Sequence, residues 1–350
     1  MNMRMNMTRP KGGLILMTME CLLVILLVAL TAGQGHAAEE KQLRVYGDVT
    51  TELTLSIDDF TAMPSFDIRW VAFLSEKDSC ESRAEQQVSV DDYRGVLLRD
   101  LLYKAGVKHK FKWEPGVYFI VRGTNAEKMV FSFGEIFYSS IGRSVLVALE
   151  KNLDPIEFSK GCGSLVVSTD IRSGRWIPEI AEIEVRRVDV EMEAYKDKQK
   201  QRMRPPEESL VIRDTATGRT MTIDRCGMMS LTPVMIPGAV MTGDCEGFSG
   251  VYAFSGPSLR SVLEMFGIRE CPPAYDRYVL VKSSDGFCAT FSFGEIFNSR
   301  MSNNLIVAVQ KDHCLLDERD GFARTVVGED STGGRSVKRI SEIQIHAIQK

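Results

Sequence analysis

Histidine is nearly missing from this chain, with four in 350 residues. That supply argues against any site assembled from several imidazoles. Cysteine is also sparse, at 8 residues, far below the density of a small disulfide scaffold. No two cysteines stand in a Cys-x-x-Cys spacing, so thioredoxin-like and zinc-ribbon readings have no support. Neither sign of charge dominates. Lys and Arg number 43 against 47 Asp and Glu, a formal charge of −4, which gives no electrostatic footprint for nucleic acid. The chain is equally short of the polar, highly charged composition of disorder, since 44% of it is hydrophobic and 26% charged. What remains is a globular protein with room for two ordinary domains.

The N-terminus reads as an export segment. Arg4, Arg9 and Lys11 precede an apolar run from Leu14 to Leu30, interrupted at Glu20, and Gly35-His36-Ala37 offers small residues where a signal peptidase reads. The run is short for a membrane span, and Glu20 would be costly at the bilayer centre. The expectation is a signal peptide over 1–37, membrane contact only through that segment before cleavage, and an exported, periplasmic protein. No Arg-Arg pair marks this segment as a twin-arginine signal. Cleavage after Ala37 leaves seven cysteines, at 80, 162, 226, 245, 271, 288 and 314, an odd number.

The rest of the chain repeats itself. Phe131-Ser132-Phe133-Gly134-Glu135-Ile136-Phe137 returns unchanged as Phe291-Ser292-Phe293-Gly294-Glu295-Ile296-Phe297, an offset of 160. At that offset 22 of 71 positions from Tyr118 to Val188 are identical, including Gly174-Arg175 with Gly334-Arg335. The period is far too long for a solenoid, so a tandem duplication of a whole domain is expected, as copy 1 over 38–188 and copy 2 over 210–350. Between them 189–209 carries 11 charged residues in 21 and then Pro205-Pro206, a solvated linker.

Within each copy, short β-branched runs bounded by Gly, Asn or Asp predict strands, as in 117–121, 144–149, 164–168 and 180–185. Leu97, Leu98, Leu101, Leu102 and Ala105 have helical spacing, with Gly106 where a left-handed C-cap is wanted. The second copy repeats this up to Gly267. A short helix is expected over 133–137, packing its aromatics inward. Strands with a few irregularly placed helices predict an α+β class.

The order of these elements carries a resemblance. The first copy reads Tyr93-x-Gly95-Val96-x-Leu98-x-Asp100-Leu101-Leu102-x-x-Ala105-Gly106-Val107, then Phe131 to Ile136, then Asp170-x-x-x-Gly174-Arg175-Trp176-Ile177. The second reads Phe254-x-Gly256-x-x-Leu259-x-x-Val262-Leu263, Ser284-Asp285-Gly286-Phe287, Asp330 and Gly333-Gly334-Arg335. Over about 43–188 and 210–348 this resembles the molybdopterin-binding domain of the sulfite oxidase family. The resemblance implies two tandem β-rich α+β domains of that fold, and molybdenum-molybdopterin as the cofactor. It places Cys80 and Cys245 as candidate molybdenum ligands, since a soft thiolate suits such a metal. Arg175 and Arg335 match positions that could meet the pterin phosphate. In that case the cofactor carries the redox chemistry and the protein orients it.

Three functions stay open on these residues. The lead is a non-catalytic binding or assembly module that keeps the fold, with a protein partner or small ligand in the cell envelope. It rests on the scarcity of histidine, on the missing twin-arginine signal, and on a second copy standing where the resemblance would put a dimerisation domain. The alternative is a molybdenum-molybdopterin-dependent oxidoreductase of the sulfite oxidase type. The third is a thiol redox or sensor protein using an unpaired cysteine. For Cys80 and Cys245 a disulfide or an inert thiol competes with the metal, and for both arginines a surface ion pair competes with the phosphate.

Overall fold

The computed structural model describes residues 41–74, 87–107, 116–188, 207–243, 247–269 and 274–348. The expected leader, residues 189–206 of the expected linker, His109, and Cys80, Cys245 and Cys271 lie outside the described residues.

The first half contains β1 (Gln42–Gly47), β2 (Leu53–Ser56), β3 (Phe66–Leu74), β4 (Gln87–Leu97), β5 (Val117–Gly123), β6 (Lys128–Ser132), β7 (Val145–Lys151), β8 (Asp154–Pro155), β9 (Ser164–Val167) and β10 (Ile180–Arg187). The second contains β11 (Ser209–Asp214), β12 (Thr220–Asp224), β13 (Pro233–Gly243), β14 (Gly247–Pro257), β15 (Arg277–Ser283), β16 (Cys288–Ser292), β17 (Leu305–Ala308), β18 (Gln310–Lys311), β19 (Cys314–Leu315), β20 (Arg324–Val327) and β21 (Ile340–Ala347). The α-helices are α1 (Ile57–Thr61), α2 (Leu98–Lys104), α3 (Phe133–Phe137), α4 (Arg225–Met229), α5 (Leu259–Met265) and α6 (Phe293–Phe297). Among the described residues no helix is long and apolar enough to cross a membrane.

The α+β expectation is overturned. Strands hold 51% of the described residues and helices 18%, so the protein is mostly β. The helices are one or two turns of five or seven residues and form no layer of their own. The strands that the sequence patterns miss are the long hairpins β3–β4 and β13–β14. Their outward positions are polar or exposed, and Pro237-Gly238 sits at a register shift between Ile236 and Ala239. β3 does carry a short apolar run, Trp70-Val71-Ala72-Phe73-Leu74, whereas β13 is broken in its middle by Pro237-Gly238. Nor do the described residues fall into two separate domains, because from Lys41 onward the chain clusters as one compact unit.

Two five-stranded sheets share one plan. Their orders are β2-β1-β10-β5-β6 and β12-β11-β21-β15-β16, and in each only the β1–β10 or β11–β21 pair is parallel. The strands β5 and β15 present buried residues on both faces, which is why they read as continuous apolar runs. Each half has its own core. Leu98, Leu101 and Phe119 belong to one, Leu259, Leu263 and Phe291 to the other. Glycine is required where β4 crosses β7 and β14 crosses β17. A Cβ on Gly95 or Gly256 would overlap the carbonyl of Val147 or Val307.

The halves meet across these sheets. Tyr118 stacks on Tyr278 with ring centroids 4.5 Å apart, and Ile120, Val130, Leu280 and Cys288 are buried with them. Val130 N–H donates to the Tyr275 carbonyl at 2.8 Å, and Thr290 Oγ1 donates to the Val117 carbonyl at 3.0 Å.

Candidate functional site

The repeated heptapeptide builds the centre of this junction. Ser132 caps α3 and Ser292 caps α6, each in a reciprocal capping box with Glu135 or Glu295. Each Glu also meets the arginine of its own half. Arg175 reaches Glu135 at 2.5 Å and grips Asp170 with two bonds of 2.8 and 2.6 Å. Arg335 reaches Glu295 at 2.6 Å and grips Asp330 at 2.9 and 2.7 Å. The halves are then cross-linked, since Ser132 Oγ donates to Glu295 and Ser292 Oγ to Glu135, both at 2.7 Å. Asn298 Nδ2 adds a 2.9 Å bond to Asp170.

Arg175 and Arg335, the candidate phosphate residues, are therefore enclosed. Each is 1% exposed, and all three nitrogens of each guanidinium are engaged by carboxylates of its own half. The competing ion-pair reading describes their contacts, but the pairs are buried rather than on the surface. Four carboxylates face two guanidiniums, and the surplus negative charge has no water to spread into. Burial pushes the Glu135 carboxyl up to about 7 against the pull of Arg175, with Glu295 adding to the rise. Burial raises Asp170 and Asp330 as well.

The open site lies elsewhere in the second half, between the β13–β14 hairpin, β18, the start of β20 and the 333–338 turn. There a cavity of about 370 Å³ carries Lys311, Arg319, Arg324 and Lys338 against two carboxylates, Asp317 and Asp320. Its lining is thus doubly positive. Arg324 is 3% exposed, with Nη1 on Asp320 at 2.8 Å and Nη2 on Ser336 Oγ at 2.5 Å. Its ring neighbour is Phe254, 4.8 Å below the guanidinium. Burial pulls the Arg324 pKa down and Asp320 opposes it. Burial alone would raise Asp320, yet Arg324 and Lys338 beside it hold its carboxyl below the ordinary value. Two polar atoms of residues in this lining, Arg324 Nε and Thr242 Oγ1, are buried without a partner, closed off from solvent and from the cavity alike. A buried donor without an acceptor is rare and costly.

The first half treats the matching positions differently. Ser164, Pro178, Ser159 and Trp176 stand 160 residues before Arg324, Lys338, Arg319 and Ser336. Ser164 Oγ donates to the Pro178 carbonyl at 2.6 Å. The amides of Ser159, Lys160 and Gly161 all point at the Glu179 carboxylate, between 2.7 and 3.1 Å. Burial alone would raise Glu179, but those amide bonds take it down to about 2. An internal carboxylate thus fills the loop that in the second half borders the cavity.

The cavity cations were missed in the sequence because they come from four separate segments. The signal was their substitution pattern, three cations gained at otherwise aligned positions of the repeat. Cys80 and Cys245, the candidate metal ligands, lie outside the described residues, although Thr242, three positions before Cys245, lines the cavity. Among the described residues no group of three or more His, Cys, Asp or Glu could hold a metal. Cys162, Cys226, Cys288 and Cys314 are free, and burial pushes the Cys162 and Cys288 thiols up to about 11. Such thiols carry almost no thiolate at neutral pH. The donor set of the cavity fits a phosphorylated organic anion in charge, and its volume falls within the range of small-ligand sites, about 300–1,000 Å³.

Residues 32–193 match the family model of the oxidoreductase molybdopterin binding domain. No curated protein matches the sequence. Among solved structures, the sulfane dehydrogenase SoxCD from Paracoccus pantotrophus is similar at 12% identity and a TM-score of 0.35, covering 86% of this chain and 78% of that one. A likeness of that size assigns neither fold nor activity.

Proposed function

We propose that this protein is a molybdopterin-dependent oxidoreductase of the sulfite oxidase type, in which the second half holds the cofactor. The family match on residues 32–193 supports the class. The observation that carries the placement is the doubly positive cavity, four cations against Asp317 and Asp320. Arg324, Lys338, Arg319 and Lys311 would hold the phosphate and the pterin edge, with Thr242 and Ser336 as hydroxyl donors. Cys245 is the candidate metal ligand on this half. When bound, the molybdenum-pterin group supplies the redox chemistry. The chain's own residues bind and orient it, and Asp320 keeps the Arg324 fork fixed.

The same reading takes the chain as a tandem duplication, supported by the identical heptapeptide and by two sheets with one strand order. It also takes the protein as exported to the periplasm behind a cleaved 1–37 leader. A second reading is a non-catalytic module with a protein partner or small ligand in the envelope. It is favoured by one observation, that Arg175 and Arg335 are both consumed by internal carboxylates.

Metal and pterin analysis of the full chain purified from its native envelope decides between them. The oxidoreductase reading expects one molybdenum and one pterin per chain, both lost in Cys245→Ala and the pterin lost in Arg324→Ala. A folded, exported chain holding neither group sinks it and leaves the binding module.

A further inference from the structure

We infer that the first half is a positioning element for the ligand cavity of the second, acting through Gly134 and Ser132 on Arg335. This rests on the reading of the cavity as an anion site. Gly333, Gly334 and Ser336 form one wall of the cavity. Arg335 stands between them in sequence, and its side chain leaves the wall for the junction between the halves. There Ser132 Oγ of the first half accepts from Arg335 Nη1 at 3.2 Å. The Gly134 Cα lies so close that an added Cβ would overlap Arg335 Cδ and Nε. The same half holds the rest of the turn. Ser331 N–H donates to the Tyr138 carbonyl at 2.9 Å, Tyr138 packs on Gly334, and Ser139 bridges Asp330.

From Arg335 the constraint runs straight to the ligand donor. The Arg335 carbonyl accepts from Thr325 Oγ1 at 2.6 Å, and Thr325 Oγ1 accepts from the Val337 amide at 2.8 Å. Ser336 Oγ donates to the Thr325 carbonyl at 2.8 Å and accepts from Arg324 Nη2. Displacing Arg335 therefore moves Ser336, and Ser336 aims Arg324.

The pseudo-symmetry of the junction supplies the control. Gly294 of the second half presses on Arg175 as Gly134 presses on Arg335. Residues 173–176 of the first half, however, do not line the cavity. Gly134→Ala and Gly294→Ala thus make the same kind of clash, and only the first lies behind the wall.

The test measures inorganic phosphate affinity of the full chain, its melting temperature, and hydrogen exchange at the Ser336 and Val337 amides. Both variants should lower the melting temperature by similar amounts. Gly134→Ala should weaken phosphate at least tenfold and speed exchange at Ser336 and Val337, while Gly294→Ala stays within twofold on both. Equal effects of the two variants on affinity and exchange would overturn the proposal. Should either glycine variant fail to fold, Ser132→Ala and its mirror Ser292→Ala replace them, with a threefold difference in affinity expected. Wild type that ignores phosphate would refute the cavity as an anion site, and the exchange data would still decide the coupling.

Discussion

Replacing Glu135 with Gln should flatten the pH dependence of stability between pH 4.5 and 7. The carboxyl is fully enclosed among Arg175, Ser132, Ser292 and the Glu295 carboxylate, with Asp170 and Arg335 just beyond. Burial raises it from 4.5 to about 7, although Arg175 opposes the rise. In the unfolded chain the group ionises near 4.5, while in the folded protein it keeps its proton to about 7. Below pH 4.5 both states are protonated and the group costs nothing. As pH rises through this window the unfolded state alone gains the charge, so stability falls. Above 7 the loss is complete and constant. Holding one proton costs about 1.4 kcal/mol for every pH unit crossed, so the rise from 4.5 to about 7 amounts to roughly 3 kcal/mol.

The assay is urea unfolding of both chains at pH 5, 6, 7 and 8, after checking that each transition is two-state. Near pH 6 wild type should lose close to 1.4 kcal/mol more per pH unit than Glu135→Gln, the slope of about one proton. Subtraction removes groups common to both chains. Asp170 and Asp330 are raised by burial and act in the same direction as Glu135. His346 is lowered by burial and acts in the opposite one. Parallel stability curves for the two proteins would refute the reasoning, whatever their vertical offset.

Two other outcomes follow from the same contacts. Arg175→Met should cost about 3–5 kcal/mol in urea unfolding, because it strands Asp170 and Glu135 without water. For Glu179, stability gained from the depressed carboxyl is present above pH 4.5 and lost as pH falls toward 2, so Glu179→Gln should show a weaker acid dependence in the same assay.

Local features of the fold were legible because they depend on neighbours in sequence. The spacing of Leu98, Leu101 and Leu102 gives α2, and Gly106 and Gly267 take φ of +63° and +89° just beyond their helices. The short helix at 133–137 follows from Ser132 and Glu135 three apart. The long hairpins were not read from the sequence: β3 offers the apolar run Trp70 to Leu74, but β13 and β14 are interrupted by proline and glycine, and Val240 and Val251 pair while half exposed. The fate of Arg175 turned on Glu135, 40 residues away in sequence, and on burial that no local pattern records. Phosphate and carboxylate ask the same of a guanidinium, so residue type could not separate them.

The repeat makes that ambiguity instructive. Residues identical in both halves, Ser132 and Ser292, Glu135 and Glu295, Asp170 and Asp330, Arg175 and Arg335, all meet at the junction. A pseudo-twofold contact needs the same side chains from both partners, because each caps its own helix and bonds across to the other. The cavity draws three of its four cations from positions where the halves differ, Arg319, Arg324 and Lys338, while Lys311 matches Lys151 of the first half. The first half answers the same geometry with Glu179, an anion of its own, where the second leaves Arg324 Nε unpartnered. On the proposed reading, that contrast is what sets the ligand in the second half, outside the matched segment 32–193.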